Sequence, residues 1–513
     1  MIQPLTVFQV QRLLIARDIT SLQDHFQQVH RHFDQGRLTS AQLASHYDCL
    51  DLERRAIQPG LERWVEMYPN DYSARFALGN FHLHVGWRAR GIGTSDRTTE
   101  RQFEVMNAHF EQGLPHLLRA IDAHPHPHAA LRTGISLEKA GCLTLPVSFI
   151  ALAERHLPHS QPLCESYMWA LQPKWGGDEG ALEAFHQRTL SFDWTPQEHA
   201  EMALYSQRMQ ADILRCQGDW GQALSQLLPL LEQYPGRPGL LSNVGDLHSL
   251  RKEHAAAARC YEQAASARPS AGAFEDLANA LEAMGDDDGA RRANEAGAEL
   301  GNGECAAKLA CALRTRMKDP QVAVEARHWC DLGTEQYCGS AIFERAVHHN
   351  LGLGTKKNRR EAVRLWCEAA EWGNWTALKN CVISYSHLFN GVPRDFVRAR
   401  HYAQMGAHLG DPDNMAHFGI MLSRGRGGAK DHDAALPWLF QAATQDQPQA
   451  IAWLVRALWY GRGTSVDRAT AREWLERLKR LDAGESKETR SEILGLVGRL
   501  RSFWGQWRSG PPT

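Results

Sequence analysis

The chain has 513 residues, and its 57 Lys and Arg residues are balanced by 59 Asp and Glu residues, for a formal net charge of −2. At roughly 150 residues per domain, this length predicts about three or four domains with large cores. Because there is no overall basic or acidic bias, the composition does not favour a nucleic acid or a membrane surface as the partner.

Cysteine usage and the amino terminus indicate the compartment. The 11 cysteines are scattered from Cys49 to Cys381 without a C-x-x-C pair, which matches neither a disulfide framework nor zinc-ligand spacing. Residues 1–25 do not combine a basic segment with a long apolar one, and no stretch approaches the roughly 18 apolar residues of a membrane span. These features predict a cytoplasmic protein with reduced thiols.

The N-terminal third, residues 1–195, has a helical pattern without a clean repeat. We divide it into a helical extension at 1–34 and a helical domain at 35–195. In chain order, the pattern predicts two helices around a Pro-Asn-Asp turn in 61–91, one helix in 102–123, and a helix broken at Pro173 and followed by another in 166–187.

Two short stretches of this domain resemble a known family. Residues 86–91 read GWRARG, and residues 172–177 read QPKWGG. They are similar to the Trp-x-x-Arg-Gly and Pro-Arg-Trp-Gly-Gly signatures of a bacterial domain of unknown function, the DUF-4034 family, with Lys174 where that family usually has Arg. The resemblance covers about residues 35–195. It implies that tetratricopeptide or SEL-1-like repeats follow, and it implies no activity.

Five residues of these stretches are candidates for a binding patch, namely Trp87, Arg88, Arg90, Lys174 and Trp175. Cationic and aromatic side chains together can hold an anionic ligand or a carboxylate of another protein. The alternative is that the tryptophans pack in the core and that Arg90 stabilises the C-terminal end of a helix.

Three histidines alternate with prolines between two predicted helices. An extended chain would place His124, His126 and His128 on one face, where they could hold a metal ion, but the segment also suits a plain helix connection. We expect no metal and no cofactor. Because no known catalytic motif is visible, we also expect that the protein is not an enzyme.

Residues 196–302 show a period of 34 residues, with small residues where two helices would cross and a proline after the second helix. Three copies are visible, the third after a one-residue deletion, and they resemble the tetratricopeptide repeat. The matching residues are Ala211, Leu214, Ala223, Leu227, Leu230 and Pro235 in the first copy and Gly245, His248, Ala257, Tyr261, Ala264 and Pro269 in the second.

A second repeat occupies residues 303–480. Its last copy contains Gly461, Gly463, Asp467, Ala471 and Trp474, and the copy before it contains Gly425, Gly427, Asp431, Ala435 and Trp438. Two earlier copies begin at Phe389 and Gly352, and an eroded one contains Ala326 and Trp329. The alanines at 326, 362, 399, 435 and 471 are spaced by 36, 37, 36 and 36 residues. The pattern resembles the SEL-1-like repeat, a relative of the tetratricopeptide repeat.

Each position of this pattern has a physical role in a helical hairpin. Glycine adopts positive φ and ends the first helix, and Asp or Asn accepts hydrogen bonds where the second helix begins. Alanine lets the helices approach closely, and the large residue three positions later is expected to fill the core. A pair of glycines also occurs in phosphate-binding loops. Because the pair recurs with the repeat, we interpret it as an inter-helix turn.

The charge is uneven along the two repeat blocks. Residues 196–302 carry 9 basic and 16 acidic side chains, whereas residues 303–513 carry 30 basic and 22 acidic ones. The opposite signs make self-association between the blocks one candidate function, which salt would weaken.

The last full repeat contains a second candidate surface. Trp453, Arg456 and Trp459 lie at i, i+3 and i+6 on its first helix, the helix that lines the concave face of a solenoid. Trp and Arg are common anchors of interfaces, so these residues are candidates for a partner contact, with core packing as the alternative. Residues 481–513, with Trp504 and Trp507, predict a capping helix and a tail.

These patterns predict an all-α protein, an α-α superhelix of helical repeats with an irregular helical N-terminal domain. We expect it to bind a protein or peptide as a scaffold or adaptor in a bacterial cytoplasm. One alternative is an enzyme or small-ligand-binding protein with a site around Trp87, Arg90 and Trp175. Another is an immunity or accessory protein of a toxin or secretion system.

Overall fold

The computed structural model describes residues 2–91, 95–140, 145–177, 179–387, 391–482 and 484–493, and the regular structure over these residues is helical, without a strand. The predicted all-α fold is confirmed. Phe389 and the tail with Trp504 and Trp507 lie outside the described residues.

The first ten α-helices belong to the irregular N-terminal part. Asp71 caps the helix that follows the predicted Pro-Asn-Asp turn, because its side chain accepts a hydrogen bond from the Ala74 N–H at 3.0 Å. A short 3-10 helix at Pro173–Trp175 interrupts the chain at the predicted break. The helices are α1 (Val7–Ala16), α2 (Ile19–Asp34), α3 (Ser40–Tyr47), α4 (Gln58–Met67), α5 (Tyr72–Arg90), α6 (Glu100–Ala123), α7 (His128–Ala140), α8 (Phe149–His156), α9 (Gln161–Ala170) and α10 (Glu179–Thr189).

Helical hairpins follow from residue 196 onward. Three hairpins comprise α11 (Pro196–Gln217), α12 (Trp220–Gln233), α13 (Pro238–Leu250), α14 (His254–Ala267), α15 (Ala271–Met284) and α16 (Asp287–Leu300). Five more comprise α17 (Gly303–Leu313), α18 (Pro320–Glu335), α19 (Gly339–Leu351), α20 (Arg359–Glu371), α21 (Trp375–Ser386), α22 (Phe396–His408), α23 (Pro412–Arg424), α24 (His432–Thr444), α25 (Pro448–Tyr460) and α26 (Arg468–Leu481). Residues 484–493 are also helical.

The hairpins stack in chain order. From α11 to α18, and again from α20 to α26, each helix packs against the next one along the chain. Alternate helices such as α21, α23 and α25 also contact one another. This stacking is the helical-repeat arrangement that the sequence periods predict.

In the four hairpins from α19 to α26, the second helix begins at the Asp or Asn residue predicted as its cap. The Asp431 side chain accepts a hydrogen bond from the Ala434 N–H at 2.9 Å, while its own N–H donates to the Leu422 carbonyl at 3.0 Å. Asp467 repeats the arrangement, with its N–H donating to the Leu458 carbonyl at 2.9 Å. The cap therefore starts the second helix and also fastens it to the end of the first.

The predicted core positions need one adjustment. The five repeat alanines are at most 1% exposed, so the helices do cross closely at these positions. Three positions later, Trp329 and Leu365 are buried as predicted, whereas Tyr402, Trp438 and Trp474 are only partly buried. In the last two repeats, the buried residues are Leu439 and Leu475, four positions after the alanine. At 3.6 residues per turn, the fourth position lies nearer to the face of the alanine than the third does.

The chain divides into two compact units, residues 1–92 with 101–341 and residues 93–100 with 342–513. In the first unit, the main apolar core is built around aromatic residues such as Phe26, Trp64, Phe76 and Phe110. In the second unit, small alanines alternate with larger residues such as Leu378, Met415 and Ile451. The five segments expected from the sequence remain a prediction.

Candidate functional site

A groove of about 1090 Å³ lies in the second unit between helices α20 and α22, the second helices of two successive hairpins. We call it the arginine groove, because Arg360, Arg364, Arg394 and Arg398 line it. All four residues are exposed. Among the described lining residues the acidic side chains are Glu361 and Asp395, so the groove has an excess of positive charge.

The carboxylates of the groove are already engaged within the chain. Glu361 accepts a hydrogen bond from Arg364 at 2.7 Å, and the Asp395 side chain caps α22. The Arg394 guanidinium lies 5.2 Å from the Phe396 ring centre. The arginines therefore stand beside aromatic surface, which suits a bound segment with acidic and apolar side chains.

One thiol lines the same groove. The sulfur of Cys367 lies 3.6 Å from that of Cys381 and 3.6 Å from the Tyr385 hydroxyl oxygen. Hydrogen bonds from Cys381, Tyr402 and Tyr385 lower the pKa of the Cys367 thiol, against the opposing effect of burial. The ten described cysteines are free thiols.

A second cavity, of about 320 Å³, lies in the first unit. We call it the N-terminal pocket, and it is lined by residues of α5, α7, α9 and α11 together with Asp51 and Arg268. Helix α5 contributes Asn80, Leu83, His84 and Trp87, whose spacing of i, i+3, i+4 and i+7 places them on one face.

Charged residues at the base of this pocket are paired with one another. The Asp51 carboxylate accepts hydrogen bonds from Arg268 at 2.6 Å and Asn80 at 3.1 Å, and it lies 3.3 Å from His84 Nε2. Burial alone would raise the pKa of Asp51, but the hydrogen bond and the charge of His84 outweigh it and lower that pKa. Burial alone would lower the pKa of His84, and its contact with Asp51 raises it instead. Both groups therefore favour their charged forms.

The predicted patch of Trp87, Arg88, Arg90, Lys174 and Trp175 is only partly assembled around this pocket. Trp87 lines the pocket, and the Arg90 guanidinium lies 5.8 Å from its ring centre. Trp175 packs at 4.7 Å against Trp169, which lines the pocket. The two remaining cations have acidic partners, Glu53 for Arg88 at 2.5 Å and Asp212 for Lys174 at 2.7 Å.

The predicted surface at Trp453, Arg456 and Trp459 contacts other parts of the second unit. Arg456 donates a hydrogen bond to Glu492 at 2.8 Å and lies 3.6 Å from Glu485, so it binds the helical residues 484–493. Trp459 is 8% exposed. Trp453 is partly buried, with the Arg424 guanidinium 4.8 Å from its ring centre.

The alternating histidines have partners in the protein. His124 accepts a hydrogen bond from the His126 N–H at 3.1 Å, and His128 Nδ1 lies 2.9 Å from the Ser160 hydroxyl. Burial lowers the pKa of His128 to about 4. Within the described part of the chain, no group of three His, Cys, Asp or Glu side chains is placed to hold a metal ion. None of the helices described combines the length and the apolar character needed to cross a bilayer.

Sequence reasoning did not single out the arginines of the groove or the charged residues of the pocket. A count of charge within each repeat could have found the first set, since Arg360 and Arg364 lie in one repeat and Arg394 and Arg398 in the next. No local signal indicates the second set, because Asp51, Arg132 and Arg268 are far apart in the chain.

Comparison with protein families finds two families that match separate parts of the chain. Residues 7–142 match the family described as a domain of unknown function, DUF4034. Residues 242–268, 339–374, 384–411, 414–447 and 448–482 match the Sel1 repeat. The first of these matches, at residues 242–268, lies within residues 196–302, the block whose 34-residue period resembles the tetratricopeptide repeat. No curated protein matches the chain in sequence.

Several solved structures are similar to the chain. A protective antigen of uropathogenic Escherichia coli that displays an SLR fold is 19% identical, with 85% of this chain and 90% of that one covered, at a TM-score of 0.42. A Sel1 repeat protein from Oxalobacter formigenes is 18% identical, with 45% and 98% covered and a TM-score of 0.33. Yeast Tom70 is 12% identical, with 95% and 97% covered and a TM-score of 0.35. Similarity at these TM-scores supports no conclusion about a binding site or a partner.

Proposed function

We propose that this chain, which carries a DUF4034 domain followed by Sel1 repeats, is a protein-binding scaffold without a catalytic step of its own. Stacked helical hairpins offer a long continuous surface to a partner. The setting that we propose is a bacterial cytoplasm, which the scattered cysteines and the bacterial resemblance support. An immunity or accessory role beside a toxin or secretion system is a narrower form of the same proposal.

The observation that carries the proposal is the arginine groove. Four exposed arginines and two acidic residues line the groove, and Tyr385, Phe396 and Tyr402 supply aromatic surface beside them. Arg364 is bound to Glu361 and Glu368, which leaves Arg360, Arg394 and Arg398 as the main cations for a partner. Guanidinium groups bind carboxylates through paired hydrogen bonds, and aromatic rings bury apolar side chains. We therefore propose that the groove holds an acidic segment of a partner protein that also carries aromatic or aliphatic residues.

A titration of the full chain with a labelled peptide tests this proposal. The probe contains eight glutamates and two phenylalanines, and a control peptide has lysine in place of glutamate. We expect the acidic peptide to bind, the lysine peptide not to bind, and the affinity to fall as salt is raised.

Charge-neutral variants locate the binding site. The double variant Arg394→Gln with Arg398→Gln removes two groove cations, and we expect it to weaken binding at least tenfold. The matched control is Arg480→Gln with Arg490→Gln, which removes two exposed cations of the same unit outside the groove. Equal affinities for both double variants, or equal binding of both peptides, would contradict the proposal.

Self-association is the second candidate. It is supported by the opposite charges of residues 196–302 and 303–513. Sedimentation of the full chain at low and high salt separates it from partner binding, because self-association predicts an oligomer at low salt that dissociates as salt is added. A monomer at all salt concentrations rejects this candidate and leaves the acidic-peptide proposal standing.

A further inference from the structure

The N-terminal pocket has the properties of a small-molecule site. Its volume of about 320 Å³ falls at the lower end of the roughly 300–1,000 Å³ that ligand pockets occupy. Its lining comes from four helices, the segment after residue 50 and the end of α14, so only the folded first unit assembles it. It shares no lining residue with the arginine groove, and it does not depend on the proposed scaffold function.

The carboxylates in and beside the pocket already have hydrogen-bond or ion-pair partners within the chain. Asp51 is bound by Arg268, Asn80 and His84. Asp48 accepts a hydrogen bond from Arg132 at 3.1 Å and lies 3.5 Å from Arg268. A ligand that brings its own donors would have to break these ion pairs.

The pocket also has hydrogen-bond donors that are not used within the chain. Arg132 spends one terminal nitrogen on Asp48, and its side chain is 31% exposed. Burial would lower the pKa of Arg132, but Asp48 and Asp51 raise it, so the group stays charged. In the described residues, the hydroxyls of Ser136 and Tyr205 have no hydrogen-bond partner, although both residues line the pocket. Burial raises the pKa of Tyr205 and keeps its phenol a neutral donor.

Two indole side chains form the apolar part of the lining. Trp87 packs edge-on against Phe110, with ring centres 5.4 Å apart, and Trp169 packs against Trp175 at 4.7 Å. Each indole thus packs against another aromatic ring while it lines the pocket and stays only partly buried. Flat aromatic side chains fixed in this way favour a planar ring in the ligand.

We propose that the N-terminal pocket binds a small organic anion that carries a planar ring, with Arg132 taking the anionic group and Trp87 and Trp169 packing on the ring. The anionic group is a carboxylate or a phosphate, both of which match the guanidinium fork. Tyr205 and Ser136 donate to further oxygen atoms of the ligand. The ligand is thus an aromatic carboxylate or a nucleoside monophosphate.

Calorimetric titration of the full chain separates the parts of this proposal. The probes are indole-3-carboxylate and adenosine monophosphate, and the controls are adenosine and benzyl alcohol, which lack the anion, and inorganic phosphate, which lacks the ring. We expect binding by at least one of the two probes and by none of the controls. Which probe binds identifies the carboxylate or the phosphate as the anionic group. Binding of no probe, or binding of inorganic phosphate as tightly as the monophosphate, overturns the proposal.

Three variants locate the ligand. Arg132→Gln removes the charge, and we expect it to weaken binding about tenfold or more, the scale of a hydrogen bond to a charged group. Because this change also leaves Asp48 with fewer partners, Tyr205→Phe and Ser136→Ala serve as milder variants that remove only unpartnered hydroxyls. Each is expected to weaken binding about threefold or more.

Ser225→Ala is the matched control, since Ser225 is an exposed serine on α12 that binds only the Gln222 carbonyl of its own helix. Its affinity is expected to equal that of the unchanged chain. If Tyr205→Phe and Ser136→Ala also leave the affinity unchanged, the ligand binds elsewhere and the proposal fails, whatever Arg132→Gln does.

Discussion

At the scale of single residues, Gly427 and Gly463, the second glycines of the last two inter-helix turns, have a function beyond their backbone conformation. Gly463 has φ of +74°, and a Cβ atom added there would lie 2.4 Å from the carbonyl oxygen of His432. A Cβ atom on Gly427 would lie 2.1 Å from the carbonyl oxygen of Phe396. These carbonyls begin the second helix of the preceding hairpin, so the glycine lets successive hairpins come into backbone contact.

We therefore expect Gly463→Ala to destabilise the second unit by about 1–3 kcal/mol, through the positive φ and the steric contact with His432. Gly221→Ala is the control, because no atom lies within 4 Å of the added Cβ and Gly221 has no positive φ. Urea denaturation followed by hydrogen exchange in peptides from residues 425–480 measures the change. A Gly463→Ala chain as stable as the control would contradict the role of this turn.

The Cys367 thiol is the second residue-scale case. Three hydrogen-bonding neighbours, Cys381, Tyr402 and Tyr385, lower its pKa in spite of burial. We expect alkylation of Cys367 by iodoacetamide to reach half its maximal rate at a pH below the ordinary value of about 8.5 for a thiol.

Mass spectrometry of the alkylated peptides gives the pH dependence for each cysteine in the same sample. Cys216, which is exposed, serves as the internal reference. Tyr385→Phe removes one of the hydroxyls and is expected to move the Cys367 profile to higher pH. A Cys367 profile that coincides with that of Cys216 would show that these hydrogen bonds do not stabilise the thiolate.

At the scale of elements, the second helix of each Sel1 hairpin begins at a side-chain cap that also anchors the first helix. Asp431 illustrates both roles, with its carboxylate on the Ala434 N–H and its own N–H on the Leu422 carbonyl. Truncation of the side chain removes only the first of these hydrogen bonds, since the second belongs to the backbone.

We expect Asp431→Ala to lower the stability of its hairpin by about 1 kcal/mol, the usual cost of losing such a cap. Glu473→Ala, an exposed acidic residue on α26, is the control for the lost charge and is expected to change little. Hydrogen exchange of the peptide that covers residues 425–445 reports the local effect. Equal exchange in the two variants would mean that the backbone hydrogen bond alone holds the turn.

At the scale of the whole molecule, the two units differ in how acid should affect them. Burial lowers the pKa of His30 to about 3 and of His46, His82, His109, His116 and His128 to about 4. All six lie in the first unit. An unfolded histidine takes up a proton near pH 6.5, whereas these remain neutral in the folded chain.

The stability that these histidines contribute is therefore present above pH 6.5 and is lost as the pH falls toward about 4. Three carboxyl groups of the first unit act in the opposite direction, because burial raises the pKa of Glu165 and Asp276 to about 7 and also raises the pKa of Asp246. The six histidines outnumber them, so we expect the first unit to lose stability between pH 6.5 and 4.5. Each uncompensated histidine contributes at most about 1.4 kcal/mol per pH unit, reduced by its partial exposure.

Hydrogen exchange of the full chain at pH 6.5 and 4.5, corrected for the intrinsic exchange rates, measures this effect in each unit. We expect peptides of α5 and α7 to lose protection on acidification by more than peptides of α23 and α25, which serve as the internal control. Equal loss in both units, or greater protection of the first unit at pH 4.5, would contradict the expectation.

Some of this protein could be predicted from the sequence alone. The period of the alanines, the glycine pairs and the Asp caps together predicted helical hairpins, and Asp431, Asp467 and the buried alanines confirm them. These features depend on hydrogen bonds and packing within one repeat, so a few consecutive residues contain the whole signal. The 37-residue spacing is also local: the loop from Tyr385 to Asp395 is one residue longer than that from Leu422 to Asp431.

The contacts between side chains of different helices are visible only in the tertiary structure. The arginine groove joins residues of two repeats, and the N-terminal pocket joins Asp51 to Arg268, which lie 217 positions apart. The tertiary structure also shows that Arg456 binds Glu492 and that Arg88 binds Glu53. The physical reason is that a charged side chain gains most from whichever opposite charge the folded chain brings within hydrogen-bond distance, and the spacing of residues along the sequence does not contain that distance.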